Sequence, residues 1–188
     1  MNKLLHLDDI DKWDADKLSE YHKNKYEICK EANLSVIAEI GVRAGYSAYK
    51  FLEACPTAKF YGFDNNQGKH RGAKDLKYHN WAKEVLREFN IFLRPDFDSL
   101  QQEYLVDEDG NLLKADFVHV DADHSYEGCR HDLKLALKSD PKVILVDDYD
   151  YVYSVKKATD EFVLEHSSVI KETKHIRDMR GQLFIYLK

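Results

Sequence analysis

Apolar and polar positions change period repeatedly along this chain. Residues 14 to 32 set Leu18, Tyr21, Tyr26 and Ile28 among helix formers, which predicts an N-terminal helix. A compact apolar run, SVIAEI (35 to 40), then reads as a buried strand, and Ala48 to Ala54 as a helix stopped by Pro56. The alternation continues with KFYGFD (59 to 64) as a strand, a polar loop over 65 to 77, a helix over 78 to 89 and NIFLRP (90 to 95) as a third strand. DSLQQEYL (98 to 105) reads as helical and DEDGN (107 to 111) as an exposed turn. ADFVHVD (115 to 121) and PKVILVDD (141 to 148) supply the fourth and fifth strands, with helices over 127 to 138 and 154 to 166. VIKETKHI and QLFIYLK flank Arg180-Gly181 as a β-hairpin.

Strands alternating with helices predict an α/β fold, a doubly wound and mostly parallel sheet covered on both faces, with an antiparallel C-terminal hairpin strand. A length of 188 residues suits a single domain, in which residues 1–33 form a helical segment expected to cap the substrate side and 34–188 the core. Hydrophobic residues make up 44% and charged ones 33%, the mix of a globular protein. A net charge of −6 argues against a nucleic-acid partner. Apolar runs are too short to cross a bilayer, the start lacks a signal peptide's apolar core, and no membrane association is expected. Three dispersed cysteines, Cys29, Cys55 and Cys129, match no zinc pattern and read as reduced, buried thiols of a cytoplasmic protein.

In a parallel sheet, ligands bind where the strands end. Those positions are rich in acids: Glu39, Asp64, Asp96, Asp121, Asp147 and Asp148. The first is followed by the turn EIGVRAGYS (39 to 47). Gly41 permits a tight turn and Gly45 a close approach of ligand to backbone, but the spacing G-x-x-x-G is not that of a pyrophosphate turn. Glu39 would repel phosphate and suits an ammonium group. Asp64, 23 residues beyond Gly41, suits the two hydroxyls of a ribose. Asp96 suits the exocyclic amine of an adenine, with Phe97 packed on the ring. Ribose, adenine and an amino-acid head without pyrophosphate describe S-adenosylmethionine. Ser47, Asn65 and Asp121 complete the candidate cofactor set. Arg43 either reaches the methionine carboxylate or packs outward.

These residues carry a resemblance. EIGVRAGYS resembles the first motif of class I methyltransferases, in the form used by cation-dependent O-methyltransferases of the caffeoyl-CoA and catechol type. The resemblance continues through GFD, DADHSY (121 to 126) and Asp147-Asp148, and the chain is also similar to sugar and macrolide O-methyltransferases. It implies a seven-stranded Rossmann-like sheet in which the fourth and fifth strands are neighbours. Asp121, Asp147 and Asp148 would then converge on Mg²⁺, with Mn²⁺ or Ca²⁺ as alternatives, an all-oxygen set suiting a hard cation. Asp147 and Asp148 both reach the ion only if the strand ends there; otherwise Asp148 or Asp150 caps the next helix. Asp123 is either a weaker ligand candidate or a hydrogen-bonding residue beside the ligands.

His124 stands where the resembled plant and catechol enzymes place a catalytic lysine, and an imidazole is better matched to neutral pH. The activity so implied is metal-assisted O-methylation of a small-molecule hydroxyl of the vicinal diol, catechol or sugar type, in a possible homodimer. The alternatives are a metal-independent methyltransferase and a non-catalytic S-adenosylmethionine-binding or protein-interaction domain. Lys69-His70-Arg71, Lys74 and Lys77 form either a solvated loop or a lid. Tyr149, Tyr151 and Tyr153 either line an acceptor pocket or pack. His79, His131, His166 and His175 take no role.

Overall fold

A computed structural model describes residues 15–66 and 76–188. Residues 1–14 and the basic segment Lys69-His70-Arg71 with Lys74 lie outside the described residues. The expected alternation is present. Helix α1 (Ala15–Ala32) leads into β1 (Val36–Ile40), α2 (Tyr46–Ala54), β2 (Lys59–Phe63), α3 (Lys77–Val85) and β3 (Asn90–Arg94). The second half runs β4 (Phe117–Val120), α4 (Tyr126–Lys138), β5 (Val143–Val146), α5 (Tyr153–Glu165), β6 (Ile170–Ile176) and β7 (Gln182–Leu187).

The seven strands form one sheet in the order β3-β2-β1-β4-β5-β7-β6. Strands β1 to β5 pair in parallel, whereas β7 is antiparallel to both β5 and β6. All four residues of β4 and all four of β5 are buried, as expected of central strands covered on both sides. Alternation along β1 divides the core. Ile37 packs with Phe51, Leu52 and Phe60 under α2, whereas Ala38 and Ile40 pack with Leu133 and Phe162 of α4 and α5. The edge strand β6 buries only Ile170 and presents a charged KETKH run, which discourages pairing with another chain.

Two expectations change. The segment 98 to 105 is not a helix but a single 3₁₀ turn at Ser99–Gln101. The Asp98 side chain caps it by accepting from the Leu100 N–H, and the core then claims fully buried Leu105, whose carbonyl accepts from Leu113 N–H. Val106 bridges Leu112 around the DEDGN turn, where Gly110 adopts φ +83°. Helix α3 also stops at Val85 rather than 89, because Leu86 is buried and the Phe89 N–H turns back onto its carbonyl. Among the described residues, no helix is long and apolar enough to cross a membrane.

The winding direction switches between β1 and β4. Chain leaving β1 runs to α2 on one face, and chain leaving β4 runs to α4 on the other, which opens a crevice beyond their carboxyl ends.

Candidate active site

The turn after β1 occupies this crevice. The Gly41 N–H donates to the Phe63 carbonyl at 2.8 Å, and Asp121 N–H donates to Ile40 at 2.9 Å, so the turn is bound to β2 and β4 together. Gly41 adopts φ +95°, and a Cβ there would lie 2.0 Å from the Asp121 carbonyl oxygen. Glycine is therefore required both by conformation and by the crossing backbone. Gly45, at φ +79°, opens α2 against Ala82 of α3.

Asp64 sits where expected, just past β2. One carboxylate oxygen accepts from the Arg43 N–H at 2.9 Å and the other from Asn66 N–H at 2.8 Å, so backbone donors on both sides fix its orientation. Beside it opens a small cleft lined by Val42, Arg43, Asp64, Asn66, His79 and Leu93 among others. Asn65 lies between the two residues that frame it, half-buried. The Arg43 guanidinium lies 4.7 Å from the Tyr78 ring centre and donates to the phenol oxygen at 3.2 Å.

Asp96 and Phe97 face opposite ways. The Asp96 carboxylate is exposed, 3.8 Å from Arg94 Nε, while the Phe97 ring is buried against Phe63 with centroids 4.6 Å apart. Phe97 is thus a core residue at this edge.

Glu39 is placed differently from the expectation of an acid facing an ammonium ligand. It is fully buried beneath the turn, accepts the Ser47 hydroxyl, and lies 2.7 Å from His119 Nδ1. The reason is strand alternation: Glu39 pairs in register with His119 across β1 and β4, and both point toward α1 and α2. Burial drives the Glu39 pKa up, although His119, Ser47 and Lys25 act against it.

The buried polar chain continues. His119 Nε2 lies 3.4 Å from an Asp147 oxygen, and Lys25 of α1 donates to the same oxygen at 2.5 Å. Burial and Lys25 depress the His119 pKa, but Asp147 and Glu39 outweigh them and lift it to about 9. Burial raises the Asp147 pKa, and Lys25 and His119 reverse that to hold it well below the usual carboxylate range.

Asp148 turns to the other side. Strand β5 ends before it, Asp148 adopts φ +54°, and its N–H donates to the Asp147 side chain at 3.0 Å. Both Asp148 oxygens accept from Arg180, at 3.0 and 3.2 Å. His124 Nε2 lies 3.4 Å from Asp121 and 3.5 Å from Asp148. Burial lowers the His124 pKa, but these carboxylates prevail and raise it above the ordinary value. Burial, with Asp121 and Asp147, brings the Asp148 pKa up to about 6.

The three acids expected to share one cation fall into two sets that could each hold a metal ion, and each set includes a histidine. One is His119, Asp121 and Asp147; the other is Asp121, His124 and Asp148, and within each set donor atoms lie within 4.8 Å of one another. Asp123 accepts from Ser125 N–H at 2.8 Å and shapes the start of α4. Tyr149 is buried and donates to Asp160, whereas Tyr151 and Tyr153 are exposed.

Lys25, His119 and Arg180 were not apparent as site residues from sequence. His119 had a signal, since it precedes Asp121 by two positions and shares its strand face. Lys25 had a weaker one: it stands on the Tyr21/Ile28 stripe of α1, where an apolar residue was due. Arg180 reaches the site from the β6–β7 turn, far from it in sequence.

Comparison with known proteins bears on this arrangement. Residues 38–149 match the family model described as a methyltransferase domain, and the chain belongs to that family. No curated protein matches the sequence. Among solved structures, the fold is similar to that of an SAH-bound methyltransferase, PaMTH1 of Podospora anserina: 16% identity, TM-score 0.69, 99% of this chain and 84% of that one covered. It is also similar to the O-methyltransferase TomG of Streptomyces achromogenes in complex with SAM: 15%, TM-score 0.66, 90% and 80% covered. A third neighbour is the SAH-bound N-methyltransferase NodS of Bradyrhizobium japonicum: 14%, TM-score 0.62, 90% and 85% covered. At these identities the likeness is one of fold, and it spans oxygen and nitrogen acceptors alike.

Proposed function

We propose that the protein transfers the methyl group of S-adenosylmethionine to a hydroxyl oxygen of a small molecule. The observation that carries this reading is the placement of Asp64 and His124 on either side of the Gly41 turn, along one sheet edge. Asp64 has its carboxylate oriented by two backbone donors beside an open cleft, as a ribose diol requires. His124, part-exposed between two carboxylates, offers an imidazole to an acceptor. Ser154 donates to the His124 carbonyl at 2.6 Å and ties this loop to the start of α5.

In the reaction so inferred, the acceptor oxygen attacks the sulfonium methyl carbon, the carbon–sulfur bond breaks, and neutral S-adenosylhomocysteine leaves. The hydroxyl proton passes to His124, and Asp121 and Asp148 stabilise the imidazolium. Because the donor is already activated, alignment of oxygen, carbon and sulfur supplies much of the acceleration. Exposed Tyr151 and Tyr153 adjoin the His124 loop and suit the flank of an acceptor pocket.

A divalent ion on Asp121, Asp147 and Asp148 fits these residues poorly. Asp147 has one oxygen on Lys25 and the other on the Asp148 N–H, and both Asp148 oxygens are on Arg180. The preference for vicinal diols that a chelating ion would impose then loses its basis.

Calorimetric titration of S-adenosylhomocysteine tests the cofactor assignment. Each charge-assisted hydrogen bond is worth about 1.5–3 kcal/mol, so Asp64→Ala should weaken binding by at least ~10-fold. Since Asp64 also holds two backbone donors, its melting temperature is measured in parallel. No binding by the wild type refutes the reading; binding licenses a screen of hydroxyl acceptors with a labelled methyl donor.

A further inference from the structure

We infer that two of the chain's own cations, Lys25 and Arg180, take the place of a divalent ion at this carboxylate edge, so that methyl transfer needs no bound metal. The inference rests on the methyltransferase reading and goes beyond it, because it separates this chain from the cation-dependent enzymes its motifs resemble.

Three carboxylates gathered at one edge repel each other unless cations neutralise them. Here the chain supplies those cations. Lys25 and Asp147 are both almost completely buried, with side chains 1% and 2% exposed, and their 2.5 Å contact joins α1 to the end of β5. An ion ligated by Asp147 would lie beside the buried Lys25 ammonium, and two such positive charges in a poorly screened interior repel each other. A loosely held surface lysine would not impose that cost. Lys25 thus opposes a second cation at Asp147 and ties α1 to the site in the same contact.

Arg180 performs the second neutralisation. One of its nitrogens meets both oxygens of Asp148, so neither is left without a cationic neighbour. The arginine is held by its backbone: its carbonyl accepts from the N–H groups of Asp150 and Tyr151, at 2.9 and 3.0 Å, and the following Gly181 carbonyl accepts from Tyr149. Gly181 adopts φ +75°, and a Cβ there would meet the Asp150 carboxylate at 2.4 Å. The hairpin turn is therefore built to bring Arg180 to Asp148. Its guanidinium also lies 5.4 Å from the exposed Tyr151 ring, on the side where an acceptor would enter. Asp121 remains for His124, and the edge carries compensating charge without an added ion.

Titration of Mn²⁺ into the protein saturated with S-adenosylhomocysteine, followed by the electron paramagnetic resonance of free Mn²⁺, tests this without any activity assay. The wild type should leave the free-ion signal undiminished, and its affinity for S-adenosylhomocysteine should be equal in Mg²⁺ and in chelator. Arg180→Gln, which uncovers Asp148, should gain Mn²⁺ binding, and Arg180→Gln with Asp121→Asn should lose it again. Lys25→Met is a second variant, examined by circular dichroism as well because it leaves Asp147 buried alone. Stoichiometric Mn²⁺ binding by the wild type overturns the inference, as does an Arg180→Gln protein that is folded yet gains none. Failure of S-adenosylhomocysteine to bind at all is a different outcome and strikes the methyltransferase reading itself.

Discussion

Replacing Gly41 with alanine isolates the contact on which the site depends, because the chain contains a matched control. Gly41 and Gly110 have similar backbone conformations, φ +95° and +83°. A Cβ at Gly110 meets nothing within 4 Å, whereas one at Gly41 meets the Asp121 carbonyl oxygen at 2.0 Å, its carbon at 2.5 Å and Ala122 Cα at 2.8 Å. Real Cβ atoms essentially never come closer than 3.0 Å, and all three neighbours are backbone, so no side chain can swing aside. Gly110→Ala should therefore cost only the left-handed conformation, roughly 1–2 kcal/mol. Gly41→Ala should add the price of forcing the ends of β1 and β4 apart, about 1–3 kcal/mol or more by analogy with overpacked cores. In a chain of this size the extra destabilisation lowers the melting temperature by ~2–4 °C per kcal/mol. Parting those ends also moves the turn away from Asp64 and Asp121, so S-adenosylhomocysteine affinity should fall in Gly41→Ala and be unchanged in Gly110→Ala. Chemical denaturation and calorimetry on both variants read the two effects. Equal stability of the two proteins would refute the close approach, and with it the reason given for this glycine.

Two further outcomes are expected. His124→Gln should reduce kcat by about 10²–10⁴-fold, the usual worth of a general base, while S-adenosylhomocysteine binds as in the wild type; a parallel loss of binding would instead give His124 a structural role. Burial raises the Asp132 pKa from 3.8 to about 7, so its contribution to stability is complete below pH 3.8 and is lost as pH rises through 7. The full loss is on the order of 4 kcal/mol at ~1.4 kcal/mol per pH unit. Asp132→Asn should therefore gain thermal stability relative to wild type progressively from pH 5 to pH 8, and a pH-independent difference would refute the assignment.

Within the candidate site, the residues proposed for the cofactor were placed more legibly by the sequence than those proposed for the reaction. Gly41, Gly45 and Asp64 are tied to the ends of β1 and β2 by local chain geometry, and a turn flanked by a strand and a helix announces itself in residue order. Asp121 and His124 were likewise within one loop, three residues apart. What sequence could not disclose was the direction each acid faces. Glu39 ends a strand and yet lies beneath the turn, because side chains alternate across the sheet and its partner in register is His119. Phe97 follows Asp96 directly, but the ring enters the core and the carboxylate meets water.

The chain's apolar periodicity alone determined the α/β class, the parallel core and the closing hairpin, since each strand and helix must bury its own face. It misjudged residues 98 to 105, where local helix-forming character yielded to the demand for Leu105 in the core. Tertiary structure alone decided how the charges pair. Lys25 meets Asp147 across 122 positions and Arg180 meets Asp148 across 32. Coulombic contact depends on distance in space, which the spacing of residues along a chain does not encode, and in a buried setting that distance decides whether a carboxylate holds a metal or a neighbouring side chain.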